Sequence, residues 1–349
     1  MRPLHSVYHQ QSVSAGRKMA AFGTVFMPEM TLITFDSNGW STPERVSANH
    51  ISLHPGAHVL HYASTCFEGL KAFRHKDGSV NIFRMEANIA RLIQSSRLLA
   101  LPEISPELLE EMIVSIVTHY ADQVPQPPGS MYIRPTHIGT EPAIGKAASP
   151  SSTSMLYVLL SPVGDYFSGG AKPLRLLLEE QGARCAAHMG MVKSGGNYAS
   201  ALQPIMRARK SVDADQVLFC PGGDVQETGA ANFLLIDGEE IITKALDSSF
   251  LHGITRDSLL TLARDMGMTV SERELSVEEL LERAAKPATE AALSGTAAVL
   301  TPVGTLIHNG KDYHVGSGAQ GPTTEKLRRA LNAVQWGEAT DNRGWLTKI

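Results

Sequence analysis

The chain has 349 residues, 43% hydrophobic and 19% charged, which makes it globular and long enough for two domains. Its net charge of −4 gives no electrostatic case for nucleic acid or a membrane surface, and no apolar run reaches the length of a bilayer. The three cysteines, Cys66, Cys185 and Cys220, form neither a C-x-x-C pair nor a zinc-spaced cluster with histidine, which points to a reducing compartment and no metal.

Residues 1–28 hold Arg2, Arg17 and Lys18, no acidic residue before Glu29, and no apolar core of a secretory signal. A cytoplasmic protein with a frayed start is the expectation; an organelle transit peptide is the alternative, and Met19 is a second candidate start. Phe22 to Met30 reads as irregular. Strands are expected at His58–Tyr62 and Phe67–Arg74, the latter turning at Asp77-Gly78 into Val80–Phe83, because glycine accepts the positive φ of a hairpin turn. Met85 to Leu99 reads as a helix with Ile89, Leu92, Ile93 and Leu99 on one face. Ser105 caps and Pro106 starts a second helix with the stripe Leu109, Met112, Ile113, Ile116 and Val117. Beyond the break at Gln126-Pro127-Pro128-Gly129, strands Met131–Arg134 and Met155–Leu160 flank a polar loop, and hairpins mixed with helices make this half α+β.

Small residues at 161–172 mark a linker between an N-terminal domain, 1–160, and a C-terminal domain, 173–349. Leu174–Leu178 is a short strand. Tyr198 to Lys210 should be helical, with Pro204 producing a kink or a late start. Gln216–Cys220 and Asn232–Ile236 are strands around a turn carrying Glu227, and Asp237-Gly238 and Asn309-Gly310 are hairpin turns. A helix opens at Gly253-Ile254-Thr255-Arg256 and stops at Gly267; Ser276 to Glu279 is a capping box; Thr323 to Trp336 is a closing amphipathic helix.

Chemistry concentrates at Met191-Val192-Lys193-Ser194-Gly195-Gly196-Asn197-Tyr198. The glycines let backbone pass close to a planar ligand, a helix start offers N–H groups to an anion, and a lysine amine condenses with carbonyls such as the aldehyde of pyridoxal 5′-phosphate (PLP). Thr255 heads a helix whose dipole favours a phosphate, and Ser294-Gly295-Thr296 offers a hydroxyl and N–H groups. Each has an ordinary alternative: a solvated lysine, a plain helix cap, a common turn, and for Glu227 a solvated turn carboxylate.

In order, these stretches, with Gln226-Glu227-Thr228-Gly229 and Ser294-Gly295-Thr296-Ala297, resemble the cofactor site of branched-chain amino acid aminotransferases, class IV PLP enzymes of the D-amino-acid-transaminase fold (fold type IV), a two-domain α+β and α/β architecture. Leu60-His61-Tyr62, Phe67-Glu68-Gly69-Leu70-Lys71-Ala72, Tyr132-Ile133-Arg134-Pro135-Thr136, Gly139-Thr140-Glu141-Pro142 and Leu160-Ser161-Pro162-Val163-Gly164 resemble the same family.

The resemblance implies a PLP-binding C-terminal domain and transamination between leucine, isoleucine or valine and 2-oxoglutarate. Lys193 would bind the cofactor and move the proton between the substrate Cα and the cofactor C4′; Glu227 would pair with the pyridine nitrogen; Tyr198 would contact the ring hydroxyl. Arg91, Thr255 and Thr296, with the Ile254 and Thr255 N–H groups, would hold the phosphate. Thr296, Ala297 and Tyr132 would receive the substrate carboxylate; Tyr62, Phe67 and Tyr166 would line the side-chain pocket, part of it from a partner subunit of a homodimer; Arg134 would meet the γ-carboxylate of glutamate. Arg91 read without the family is a surface helix arginine. Departures are His137 after Thr136 and the segment at Met27-Pro28-Glu29, both expected to bear on substrate preference, Pro204 in the helix after the lysine, and the absence of the C-x-x-C pair of the mammalian enzymes. The alternatives are a D-amino-acid transaminase or aminodeoxychorismate lyase of the same fold, or a PLP-binding protein without chemistry; no Arg-x-His carboxylate trap of D-specific members occurs in the chain.

Overall fold

Two nine-stranded sheets carry the fold in the computed structural model, which describes residues 22–49, 51–164, 172–297 and 299–349. The first half supplies β1 (Glu29–Asp36), β2 (Gly39–Trp40), β3 (Glu44–Ser47), α1 (His58–Tyr62), β4 (Thr65–Phe67), β5 (Leu70–Arg74), β6 (Val80–Phe83), α2 (Met85–Leu98), α3 (Pro106–His119), β7 (Ser130–Gly139) and β8 (Ser154–Val163). The second supplies β9 (Leu174–Glu179), α4 (Gly195–Val212), β10 (Gln216–Phe219), β11 (Glu227–Thr228), β12 (Asn232–Asp237), β13 (Glu240–Thr243), α5 (Ile254–Asp265), β14 (Thr269–Glu272), α6 (Val277–Ala284), β15 (Thr289–Gly295), β16 (Val299–His308), β17 (Lys311–His314), α7 (Pro322–Gln335) and β18 (Leu346–Lys348).

The first sheet runs β18-β6-β5-β7-β8-β1-β2, with β3 on β1 and β4 on β7. Its Ile33, Ile82, Ile133 and Leu156 bury against α2 and α3. Helix α3 follows its sequence signals: Ser105 Oγ accepts from the Leu108 N–H at 3.2 Å, Pro106 fills the first turn, and the whole stripe from Leu109 to Val117 is buried. Each such side chain contributes about 1.5–3 kcal/mol.

The second sheet runs β11-β10-β9-β16-β15-β12-β13-β14, with β17 on β16. Strand β11 pairs with both β10 and β12, so part of this sheet closes on itself. Phe73 and Phe83 of the first sheet pack with Leu234 of β12, Leu259 of α5 and Leu331 of α7, and β18 pairs with β6. The two halves therefore share a core.

Several local expectations change. His58–Tyr62 is helix: it buries only His58, leaves Leu60 in solvent, and ends at Ala63 with φ 51°, so its strand-like composition has no sheet face to serve. The run Phe67–Arg74 breaks into β4 and β5 at Glu68-Gly69. Strand β1 begins inside the stretch read as irregular and continues past it; Met30, Thr31, Leu32 and Ile33 are all buried, which erases the alternation a half-exposed strand would show. Strand β8 extends to Val163, so Ser161 to Val163 of the expected linker pair with Ser130 to Tyr132. Residues 165–171, Tyr166 among them, and residues 1–21 lie outside the described residues. Helix α4 starts at Gly195 rather than late, and runs through Pro204. Burial of Ala201 and Ala208 beside β10 offsets the lost backbone bond. The Asp77-Gly78, Asp237-Gly238 and Asn309-Gly310 hairpins, α5 and α7 form as read. Only half of the capping box forms: Ser276 Oγ accepts from the Glu279 N–H, while the Glu279 carboxylate turns to Arg273 and Arg283.

Candidate active site

Lys193 stands in the turn leading into α4, fixed from two sides. Its N–H donates to Ser95 Oγ of α2 at 3.1 Å, and its carbonyl accepts from the Phe67 N–H of β4 at 3.0 Å. Neither bond uses the side chain, so the amine is free to project into the cleft, where it donates to the Tyr198 hydroxyl at 2.9 Å. Tyr198 lies one turn into α4 and stacks near Phe67, the ring centroids 5.2 Å apart.

Opposite the amine, Glu227 of β11 is 3% exposed, not a solvated turn residue. Its Oε1 accepts from the Leu251 N–H at 3.0 Å, and Oε2 accepts from Asn232 Nδ2 at 3.2 Å. Arg184 Nε lies 2.7 Å from Oε1, an ion pair whose N–H is not aligned on the oxygen. Burial pushes the Glu227 carboxyl up to about 7, against the opposing pull of Arg184, the Leu251 N–H and Lys193. It thus sits near neutrality between its acid and its ionised form.

The floor of the cleft is the start of α5. Gly253 caps the helix without a side chain, leaving its first N–H groups open to a ligand. A Cβ at Gly253 would come within 2.0 Å of Asn232 Oδ1, so the close approach of this turn to the Glu227 support requires glycine. Ile254, Thr255, Thr296 and Arg91 line the same solvent-open cleft as Lys193 and Glu227, about 350 Å³ in volume. Arg91 is a buried residue of α2, not a surface one: Nε and Nη2 donate to Glu68 at 2.6 and 2.8 Å, and Nη1 donates to the His252 carbonyl at 2.8 Å. Five N–H donors make up a guanidinium, so this clamp aims Arg91 while leaving donors for an anion.

On the first-sheet side, the Tyr132 hydroxyl accepts from Arg134 Nη2 at 2.9 Å, and the Arg134 guanidinium lies 4.6 Å from the Phe67 ring centroid. A Cβ at Gly69 would fall 1.9 Å from the Tyr132 hydroxyl, so glycine makes room for this phenol. Thr296 and Ala297 lie in the turn between β15 and β16 that closes the cleft.

Tyr62 is not brought in. Within this chain it sits on α1 beside His58 and His61, its hydroxyl donating to the Ile144 carbonyl. His137, expected to touch substrate preference, instead lies in the core with its ring nitrogens against Ser96 Oγ and Ser154 Oγ, both at 3.0 Å; burial holds its pKa down near 4. Met27 is buried, its N–H bonded to the Leu160 carbonyl, and the Glu29 carboxylate pairs with Arg45 and His119.

Four residues without a role in the linear sequence, Glu68, Arg184, Asn232 and Ser95, hold the residues that have one. Glu68 carried a signal: a carboxylate between Phe67 and Gly69-Leu70, inside an apolar strand run, requires a buried cationic partner. Arg184 carried none, because Glu227 is far along the chain and only the folding of the intervening strand and helix brings the two together. The assembled site presents an amine, a carboxylate near neutrality, and an open helix N-terminus beside an arginine. That set fits a ligand with a carbonyl, a basic ring nitrogen and a phosphate.

The model of the amino-transferase class IV family matches residues 65–306. A probable branched-chain-amino-acid aminotransferase of Streptomyces coelicolor is 38% identical, over 93% of this chain and 91% of its own length. The branched-chain-amino-acid aminotransferase of Mycolicibacterium smegmatis is 37% identical, over 94% of this chain and 92% of its own. Among solved structures, the branched-chain amino acid aminotransferase from Escherichia coli superposes with a TM-score of 0.71 at 26% identity, covering 91% of this chain and 98% of that one.

Proposed function

Since the chain belongs to the class IV aminotransferase family, as the branched-chain-amino-acid aminotransferases among its relatives do, we propose that it transfers the amino group of L-leucine, L-isoleucine or L-valine to 2-oxoglutarate, with PLP in the cleft. The observation that carries this reading is the convergence of the Lys193 amine and the buried Glu227 carboxylate on one cleft floored by the open start of α5.

The residues present fit PLP. Bound there, the cofactor supplies the electron sink that lets a proton leave the amino acid Cα. Lys193 Nζ would take that proton and later give it back, and the adjacent Tyr198 hydroxyl, its hydrogen-bond partner, keeps the amine on one side of the cleft. Glu227 would hold the ring nitrogen; Arg184 and the Leu251 N–H favour its ionised form and so would favour its partnership with a protonated ring. The Ile254 and Thr255 N–H groups, Thr296 and the clamped Arg91 would hold the phosphate. Tyr132, Thr296 and Ala297 take the substrate carboxylate, Phe67 the apolar side chain, and Arg134 the γ-carboxylate of glutamate. One pocket must accept both leucine and glutamate, and an arginine spread over Phe67 can meet a carboxylate from the rim without displacing the apolar floor.

Tyr62 on the half-exposed α1 would complete the pocket from a partner subunit, which makes the working form a homodimer or a multiple of one. Full activity in a diluted monomer would contradict this. The end of β8 at Val163 and the start of β9 at Leu174 bound the division between the smaller N-terminal domain and the PLP-binding one, a shorter stretch than 161–172. A cytoplasmic location agrees with three cysteines that are all free thiols.

The test is spectroscopic. Protein loaded with PLP should change to the pyridoxamine spectrum on adding L-leucine and revert with 2-oxoglutarate, with no change for D-leucine. Response to the D-isomer alone would overturn the assignment.

A further inference from the structure

Residues 244–253, between β13 and α5, form no helix or strand, yet they touch the lysine stretch, the Glu227 carboxylate and Arg91. The Ser248 carbonyl accepts from the Met191 N–H at 3.3 Å. A Cβ at Gly190 would fall 2.0 Å from the Ser249 carbonyl carbon, so this strap lies directly on the chain that leads to Lys193. The Leu251 N–H donates to Glu227 Oε1, and the Leu251 carbonyl accepts from Asn232 Nδ2 at 2.8 Å. The His252 carbonyl accepts from Arg91, and Gly253 caps α5. One irregular segment thus supports both the carboxylate and the arginine of the cleft. Such backbone has no ladder of its own to hold it, so its position depends on side chains.

The strap is anchored at its first residue. Lys244 is 6% exposed, and a lysine so buried requires partners for its charge. Its Nζ lies 2.6 Å from Asp224 Oδ2 and 3.2 Å from Asp247 Oδ2. Asp224 stands just before Glu227 in the chain, whereas Asp247 belongs to the strap. The other oxygen of Asp247 accepts from the Ser249 N–H at 2.7 Å and from Ser249 Oγ at 2.6 Å, and its carbonyl accepts from His252 Nε2 at 2.7 Å. The Lys244 carbonyl accepts from Arg256 Nη2 of α5 at 2.6 Å. Burial by itself would draw the Lys244 amine down, but the bonds to Asp224 and Asp247 outweigh it and hold the pKa above the ordinary lysine value. The bend of the strap is therefore closed around one ammonium group, which also ties it to the approach to Glu227.

We propose that Lys244 is a positioning residue for the cofactor site: by joining Asp224 to Asp247 it fixes the strap that delivers the Leu251 N–H to Glu227 and the His252 carbonyl to Arg91. It touches neither of those side chains and acts through the strap alone. The inference rests on the reading of Glu227, Arg91 and the start of α5 as the PLP site.

The test compares Lys244→Met and Lys244→Arg with wild type. Amide hydrogen exchange is followed on the cofactor-free proteins, and the dissociation constant of PLP is measured by titration. In Lys244→Met the Leu251 and Met191 N–H groups should exchange at least about tenfold faster, the scale of a lost charged hydrogen bond, while the amides of β12 and β15 keep their wild-type rates. The dissociation constant of PLP should rise by a similar factor. Lys244→Arg, which keeps the charge and the donors, should recover most of both. Wild-type exchange at Leu251, or wild-type PLP affinity, in a folded Lys244→Met overturns the inference. So does faster exchange spread evenly over β12 and β15, which would make Lys244 a general stabiliser. If Lys244→Met does not fold, Lys244→Gln is read by the same two criteria. A wild-type protein that took up no PLP would instead reject the functional reading on which this rests, since the exchange comparison needs no cofactor.

Discussion

Arg184 and Glu227 form a buried ion pair, Nε to Oε1 2.7 Å, with both side chains 3% exposed. Arg184 comes from the stretch before Lys193 and Glu227 from β11, so the segment carrying the lysine and the carboxylate opposite it are tied through one guanidinium. Its Nη2 donates back to the Gly190 carbonyl at 2.9 Å, close before the lysine in the chain.

Replacing Arg184 with methionine should therefore act through Glu227. With the cation gone, burial is opposed by less, and the carboxyl pKa rises from about 7. We expect PLP to bind still, transamination to fall at least about tenfold, the scale of about one pKa unit at Glu227, and the acid limb of the rate profile to move to higher pH. An unchanged pH profile with lower activity would mean that Arg184 only supports the loop.

Glu227 also leaves a signature in stability. Its folded pKa, about 7, is above the ordinary 4.5. The folded, cofactor-free protein thus holds a proton that the unfolded chain releases, and this contribution is full below pH 4.5 and lost as pH rises through 7. Glu227→Gln, neutral throughout, should lack that dependence. Denaturant melts of both proteins between about pH 5 and 8 should diverge by up to about 1.4 kcal/mol per pH unit, wild type losing ground as pH rises. Parallel curves would show that the carboxyl titrates normally. The same variant, loaded with PLP, should transaminate far more slowly than wild type.

Glu68 is fully buried and its carboxylate pairs with Arg91. Glu68→Ala should strand a buried guanidinium, costing about 3–5 kcal/mol of stability. PLP affinity should fall with it, because Arg91 loses its aim. Equilibrium unfolding and a PLP titration check both; a stable variant with native PLP affinity would show that the His252 carbonyl alone suffices to orient Arg91.

For Arg134→Met, glutamate and 2-oxoglutarate should lose about ten- to a hundredfold in kcat/KM, the scale of a charged hydrogen bond. Leucine, without a distal charge, should lose less, although not nothing, since Arg134 Nη2 also donates to the Tyr132 hydroxyl. Single turnovers with leucine on the PLP form and with 2-oxoglutarate on the pyridoxamine form separate the two. Equal losses would assign Arg134 a structural role.

Lys193→Ala should fold normally, because the backbone bonds of Lys193 to Ser95 and Phe67 do not need its side chain. Phosphate contacts should still retain PLP, but steady-state turnover should vanish. Normal turnover in this variant would reject the assignment of Lys193.

What the sequence by itself determined were the features written locally: α3 with its cap and stripe, the hairpin turns, the helix start at Gly253-Ile254-Thr255, and the ordered stretches around Lys193, Glu227 and Thr296. Periodicity, capping and turn chemistry act over a few residues, so they survive in a linear reading. The same local rules misread His58–Tyr62, whose strand-like side chains find no sheet, and missed β1, buried on both faces. Only the tertiary structure decided which charges are buried and what they face. Arg91 reads as a surface residue until Glu68 is brought to it, and Glu227 as a solvated turn until Arg184 and Asn232 enclose it. Burial shifts a pKa and a buried charge demands a partner, and both depend on neighbours far away in the chain.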